Sequence, residues 1–416
     1  MYDFYKNEIL NFLGKYLFLN IFLSMMTIIY FLDYQHITQY NLLKLFKNDD
    51  FIQITILTNI FVLVLLFITT LNSFKYRKMI RVFDFHTKIK DKKYYDIVKK
   101  VDDDSVVFVN KVLKINYEDY EKNYEKLKQY LKLDYLQIRY QNNQVVLYVK
   151  DPFNTFKLKR LYLHKNKVFF GKDNEDNNIY QDINKLSHFL ISGTSGSGKS
   201  VFVNNFLYSL FYNIDIIKYI FLVDFKGGLT FSKFSKINNK IKVFWTLEHF
   251  YKVIDFLEKE NNKRMTYLRK NELEKYEKEP IFLFIDEYKE FIDIGNNLSD
   301  KKQKDKFKKY ENKISRLTQT GRSQNIKINI ITQKPDATSL NTVLRSNLQS
   351  RVMFKVQDIE TIKMALGSSS LLETYNISFK DVLSFRSGHG LFLDFNTSKL
   401  YEFQSPFIDV NYEKLK

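Results

Sequence analysis

The sequence predicts an α/β protein in which a mostly parallel central sheet carries a glycine-rich loop, preceded by a two-helix transmembrane hairpin and a small α+β module. Three observations point there. "HFLIS" leads into "GTSGSGKS" and then into "VFVNNFLYSLF", which reads as strand, loop and helix in succession. Two further apolar runs, "IFLFI" and "IKINIIT", are short and end on polar residues, as strands buried on both faces of a parallel sheet do. Near the N-terminus lie two long stretches without a charge.

Length and composition bound the rest. The 416 residues exceed one compact domain, and a hydrophobic content of 45% is ample for a large core with smaller parts attached. A formal charge of +18 suggests a polyanionic partner or an anionic membrane surface, although Lys, Asn, Ile, Tyr and Phe are all abundant together, so part of that charge is compositional. The absence of cysteine excludes a disulfide framework, a thiol nucleophile and a cysteine-ligated metal. His36, His86, His164, His188, His249 and His389 are scattered, with no pair at ligand spacing on one helix face, so zinc hydrolysis and metal-dependent nicking lack support.

Residues 1–75 read as the membrane hairpin, with helices over about 16–32 and 51–71. "YLFLNIFLSMMTIIYFL" and "FIQITILTNIFVLVLLFITTL" can each span roughly 30 Å of hydrocarbon. No small-residue cleavage site follows the first, which argues against a signal peptide. Lys75, Arg77, Lys78, Arg81, Lys88, Lys90, Lys92 and Lys93 crowd the exit of the second segment, whereas the loop from Asp33 to Asp50 carries only Lys44 and Lys47. The positive-inside rule then puts the N-terminus and everything after the hairpin in the cytoplasm of a multi-pass cell-membrane protein. Residues 76–150 form a juxtamembrane α+β module: Tyr117–Leu133 has helical spacing, and "YLQIRY" and "QVVLYVKD" alternate like a hairpin around "QNNQ".

The chemistry lies in residues 151–416. Gly193, Thr194, Ser195, Gly196, Ser197, Gly198, Lys199 and Ser200 fit G-x-x-x-x-G-K-[ST] in full, between strand and helix as the motif requires. Glycines let backbone N–H groups converge on phosphate oxygens at a helix N-terminus, Lys199 reaches the β- and γ-phosphates of ATP, and Ser200 can ligate Mg²⁺. "IFLFI" ends in Asp286, suited to the Mg²⁺ shell, and Glu287, suited to orienting or deprotonating a water. "IKINIIT" ends at Thr332 and Gln333, where a polar side chain can sense the γ-phosphate or the water. Arg322, in "GRS", can act across a subunit interface as an arginine finger.

With these residues in place, the stretch from Val168 to Phe407 resembles the FtsK/SpoIIIE family of ring-forming, ATP-driven DNA translocases. "FFGKDNEDN", "HFLISGTSGSGKSVFVNNFLYSL", "LVDFKGG", "FLFIDEYKEF", "LTQTGRSQNIKINIITQKPD", "LRSNLQSRVMFKV" and "SGHGLFLDF" come in the family's order. The resemblance implies a RecA-like P-loop motor with Lys199 and Ser200 on nucleotide and Mg²⁺, Asp286 and Glu287 in hydrolysis, Gln333 as sensor and Arg322 as trans-acting finger, with Arg316, Arg345 and Arg351 as rivals for that last role. Phe225 stands where the family commonly has Pro, and an acidic position is replaced near Leu229, which leaves the "DFKGG" loop only as a pore-facing candidate. Two membrane segments, one motor and no room for a winged-helix reader resemble the TcpA-type coupling ATPases of conjugative elements. The expected function is therefore that of a membrane-anchored ATPase ring, a hexamer in the family's manner, that translocates DNA with little regard to sequence and works with a relaxase and mating-channel proteins. Chromosome partitioning and type VII-like protein secretion are the alternatives.

Overall fold

The structure, a computed structural model of the full chain, describes Leu57 and residues 73–409 apart from 90, 103–104, 111–113, 134, 152, 337, 369 and 376. The expected membrane hairpin lies, Leu57 aside, outside the described residues. Among the described residues no helix is long and apolar enough to cross a membrane. The chain divides into two compact units between Val149 and Lys150.

The first unit opens with α1 (residues 73–82) and an antiparallel pair, β1 (His86–Ile89) with β2 (Lys92–Tyr95). A four-stranded antiparallel sheet follows, built from β3 (Ile97–Val101), β4 (Ser105–Val109), β5 (Gln137–Gln141) and β6 (Gln144–Tyr148) in the order β3-β4-β6-β5. Asn142 and Asn143 sit at φ 50° and 60°, the left-handed pair that a two-residue hairpin turn needs. The single helix read over Tyr117–Leu133 is two, α2 (Tyr117–Lys122) and α3 (Tyr124–Leu131). The break falls at Asn123, whose side-chain amide donates to the Asp119 carbonyl at 2.8 Å, the local competition with the helix ladder that asparagine is prone to. Phe108, Tyr120, Leu127, Val145 and Leu147 close the core between helices and sheet.

The second unit is organised by one ten-stranded sheet. Its strands are β7 (Lys167–Lys172), β8 (Asn178–Asp182), β9 (Phe189–Ser192), β10 (Tyr219–Asp224), β11 (Ile241–Phe244), β12 (Ile281–Asp286), β13 (Ile326–Thr332), β14 (Ser350–Phe354), β15 (His389–Asp394) and β16 (Lys399–Gln404), ordered β11-β10-β12-β13-β9-β14-β15-β16-β7-β8. From β11 to β14 every pairing is parallel. From β14 onward every pairing is antiparallel, and for β15 with β16 and β7 with β8 the connecting turns are too short for a crossover. The parallel half is what the sequence expects; the antiparallel wing is an addition to it.

Alternate residues of the parallel strands feed two separate cores, as strands covered on both faces must. Phe189, Leu222, Phe284 and Val352 face one core with α4 (Lys199–Tyr212), while Leu190, Val223, Leu283 and Ile330 face the other with α5 (Leu247–Lys270), α6 (Tyr288–Asn296) and α7 (Lys301–Thr320). Two short helices, α8 (Thr342–Asn347) and α9 (Ile359–Leu366), precede and follow β14 in the chain. This layering sends the loops after β9, β10, β12 and β13 out of the same sheet edge, where ligands bind in open α/β sheets.

Candidate nucleotide site

The loop between β9 and α4 takes its shape from three glycines at positive φ: Gly193 at 152°, Gly196 at 75° and Gly198 at 96°. Gly198 is forced by more than its dihedral, since a Cβ there would run into the backbone of Gly388, whose N–H donates to the Ser197 carbonyl at 2.8 Å. The far side of the loop is tied to the end of β14, where the Thr194 N–H and hydroxyl both donate to the Lys355 carbonyl, at 2.9 and 3.1 Å. A cavity of about 700 Å³ opens beside it, lined by Thr194–Ser197, Gln333, Lys334, Lys355–Asp358, Thr361 and Phe385–Ser387.

Lys199 opens α4 with its side chain buried and its Nζ without a hydrogen-bond partner, 3.6 Å from Glu287 Oε1. Asp286 ends β12, buried, in register with Asp224 at the end of β10. Glu287 follows at φ 51°, ψ 58°, a left-handed conformation rare for a glutamate, and caps the start of α6. Its Oε1 is met from three directions: Lys199, Lys226 Nζ at 3.3 Å and Gln333 Nε2 at 2.9 Å. Thr332 is turned away, donating to the Lys334 carbonyl at 3.3 Å, so of the two polar residues at that strand end Gln333 reaches Glu287.

The charges are set by burial and by one another. Burial pushes the Lys199 ammonium down, against the pull of Glu287 and Asp286. Burial likewise pushes the Asp286 carboxyl up, with Lys199 opposing and Glu287 adding to it. At Glu287 burial also acts upward, but Lys199, Gln333 and Lys226 outweigh it and hold the carboxyl below its ordinary value. A buried ammonium and the buried Ser197 hydroxyl, both without a hydrogen-bond partner, inside a glycine cradle are the complement of an oligophosphate. Asp286, a buried carboxylate whose ionised form is disfavoured, and the exposed hydroxyl of Ser200, next to Lys199 in the chain, are oxygen donors of the kind a divalent cation takes.

Lys226 is the residue that sequence reasoning missed. The "DFKGG" loop, read only as a pore-facing candidate, is folded back by Asp224, which accepts from Lys226 N–H and Thr230 N–H, each at 2.9 Å, and this aims Lys226 at Glu287. The signal was available in "YIFLVD", which repeats the pattern of "IFLFID" and ends on its carboxylate in the same register.

Residues 157–295 match the FtsK/SpoIIIE family. The chain carries an FtsK/SpoIIIE family P-loop ATPase domain. Within the curated relatives, a DNA translocase FtsK of Staphylococcus epidermidis is 26% identical over 232 residues, covering 50% of this chain and 28% of the relative. A DNA translocase FtsK of Campylobacter jejuni is 30% identical over 213 residues, covering 49% of this chain and 22% of the relative. The chain thus spans about a quarter of the length of the curated relatives it matches. In fold it is similar to the pCW3 conjugation coupling protein TcpA solved as a monomer with ATPgS, at a TM-score of 0.58 and 21% identity, covering 83% of this chain and 98% of that one.

Arg322, beyond the residues that match the family, stands apart from the cluster. It precedes β13, whereas Gln333 follows it, and a strand of that length separates the two by roughly 20 Å. Its guanidinium is exposed, lies 4.3 Å over the Phe395 ring and donates to Gln349 at 3.0 Å. Of its rivals, Arg351 is committed elsewhere: half-buried, it donates to the carbonyls of Met364 and Ala365 on α9 and of Arg345. Arg345 donates to the Pro335 carbonyl at 3.3 Å, and Arg316 is exposed on α7.

Proposed function

We propose that this chain is a membrane-anchored, ring-forming ATPase that translocates DNA and serves as the coupling protein of a conjugative transfer system, with its N-terminus and motor on the cytoplasmic side of the cell membrane. The observation that carries the reading is the convergence of Lys199, Lys226 and Gln333 on Glu287 beside the P-loop of an FtsK/SpoIIIE domain. The curated relatives that are DNA translocases support DNA as the substrate. The neighbour of similar fold, a conjugation coupling protein solved with ATPgS, supports the coupling role and ATP as the nucleotide.

In this reading the backbone of Gly193–Gly198 and the Lys199 ammonium hold the phosphates. Glu287 orients a water and takes its proton as the water oxygen bonds to the γ-phosphorus, with ADP leaving. Mg²⁺, held by Ser200 and Asp286, would supply neutralising charge to the phosphates. Six copies would close a ring with Arg322 of one subunit reaching the nucleotide of the next, and a relaxase and mating-channel proteins would be its partners.

The test is ATP turnover by the full chain in detergent. DNA of arbitrary sequence, double- or single-stranded, should stimulate it, and the stimulation should fade steeply with added salt because Lys and Arg contacts to phosphate release counterions. An ATPase that ignores both kinds of DNA at low salt but answers to a helical peptide would sink the DNA reading in favour of protein secretion.

A further inference from the structure

The first half of α7 carries Lys301, Lys302, Lys304, Lys306, Lys308 and Lys309, all exposed, against one acidic residue, Asp305. Among the described residues none of these ammonium groups is in an ion pair, although Lys313, one turn beyond, is paired with Asp255 and Glu258 on α5 at 2.7 Å each. The arrangement opposes helix stability twice. Lys302 faces Lys306, and Lys304 faces Lys308, at i,i+4 spacing, and Lys301, Lys302 and Lys304 crowd the first turn of the helix, where the backbone dipole disfavours cations. The helix is nonetheless held firmly. Phe307 lies 4.6 Å from the Phe291 ring of α6, and Tyr310 stacks on Tyr251 of α5 at 3.9 Å and donates to Asp255 at 2.7 Å.

The lysines also lie at a particular place. α7 ends at Gly321, against Ile326 at the start of β13, so it runs back along that strand. A helix of this length reaches about 30 Å, longer than β13, so the lysines stand at the opposite end of α7 from the start of that strand.

We propose that the Lys301–Lys309 face of α7 is a docking surface for the phosphate backbone of DNA, separate from the nucleotide site. Repulsion built into a rigid helix is relieved by a polyanion, and fixed cations one helical turn apart suit a regular row of phosphates. A lipid surface suits it less well, because Phe307 and Tyr310 are buried against α6 and α5 and leave the exposed face of this stretch without an apolar side chain to enter a bilayer. The inference rests on the DNA reading above.

Two full-length variants test it, each removing four charges: Lys302→Gln, Lys304→Gln, Lys306→Gln and Lys308→Gln on α7, and, for comparison, Lys252→Gln, Lys259→Gln, Lys263→Gln and Lys270→Gln on the exposed face of α5. Binding of a fluorescent duplex of arbitrary sequence is followed from roughly 50 to 200 mM salt. The α7 variant should bind more weakly and lose up to about 3.6 from the slope of log K against log salt, at roughly 0.9 for each of four phosphate contacts, while the α5 variant keeps its slope. ATPase without DNA should be unchanged in both, and the Tm of the α7 variant should not fall. Equal slopes for the wild type and the α7 variant, or equal losses in both variants, overturn the surface while leaving the DNA reading intact. Wild type that binds no DNA at low salt overturns both. Loss of binding to phosphatidylserine vesicles with duplex binding untouched assigns the face to membrane instead.

Discussion

At Glu287 the backbone is held in a conformation that costs a non-glycine residue of order 1–3 kcal/mol, and the carboxylate it aims is shared by three donors. If this carboxylate positions water, Glu287→Gln should retain ATP binding yet turn over at least about tenfold more slowly, whereas Lys199→Ala should weaken binding itself, both read by nucleotide titration and steady-state turnover. The neighbouring carboxylates should also differ in how they affect stability. Asp286 has its folded value raised above the ordinary 3.8, so its contribution is present below that value and lost as pH rises through the folded one. Asp286→Asn should therefore raise Tm at neutral pH, lose that advantage in acid, and abolish hydrolysis. Glu287 is held below its ordinary 4.5, so its ionised form adds stability above that value and the gain disappears as pH falls, which makes Glu287→Gln lower Tm at neutral pH. Thermal melts of the two variants from neutral to acid pH check the opposite signs. Lys199, Ser200, Asp286, Glu287 and Gln333 were legible because each sits at the end of an apolar run or in a fixed motif. Lys226 was not, because its aim depends on β10 lying beside β12, a pairing between segments far apart in sequence.

Elements meet through close approaches that periodicity does not reveal. Gly295 on α6 is the clearest: a Cβ there would collide with the Phe307 ring of α7, so the helix pair docks through the absence of a side chain. Gly295→Ala should destabilise the protein by about 1–3 kcal/mol in denaturant unfolding, even though alanine is the better helix former, because overpacking outweighs the propensity gain. The parallel strands could be read from "IFLFI" and "IKINIIT" since burial on both faces leaves an unbroken apolar run. β7, β8, β15 and β16 could not be read with the same ease. Each mixes apolar and polar residues, and the partner of β7 comes from the other end of the unit. The break between α2 and α3 escaped for a smaller reason: one asparagine interrupts an otherwise helical pattern.

For the assembled molecule the placement of Arg322 at the far end of β13 means that its own chain's Glu287 is out of its reach. In a ring it would serve a neighbour, so Arg322→Ala subunits mixed with Glu287→Gln subunits should recover part of the ATPase that each lacks alone. No recovery, in rings shown to exchange subunits, would place Arg322 outside catalysis. The antiparallel wing carries a different consequence, for how the protein is made. β7 reaches the rest of the sheet through β16, and the two ends of the unit are further laced together by Leu158 N–H to the Phe407 carbonyl at 2.9 Å and Phe407 N–H to the Phe156 carbonyl at 2.7 Å. During synthesis the β7–β8 hairpin therefore emerges long before β16, the strand that joins it to the sheet, and contacts of such wide sequence separation form slowly. The first unit, whose described strand pairings all close before Lys150, is free to fold while the ribosome is still working, whereas the motor must wait for β16 and is exposed to chaperones and proteases for most of its translation.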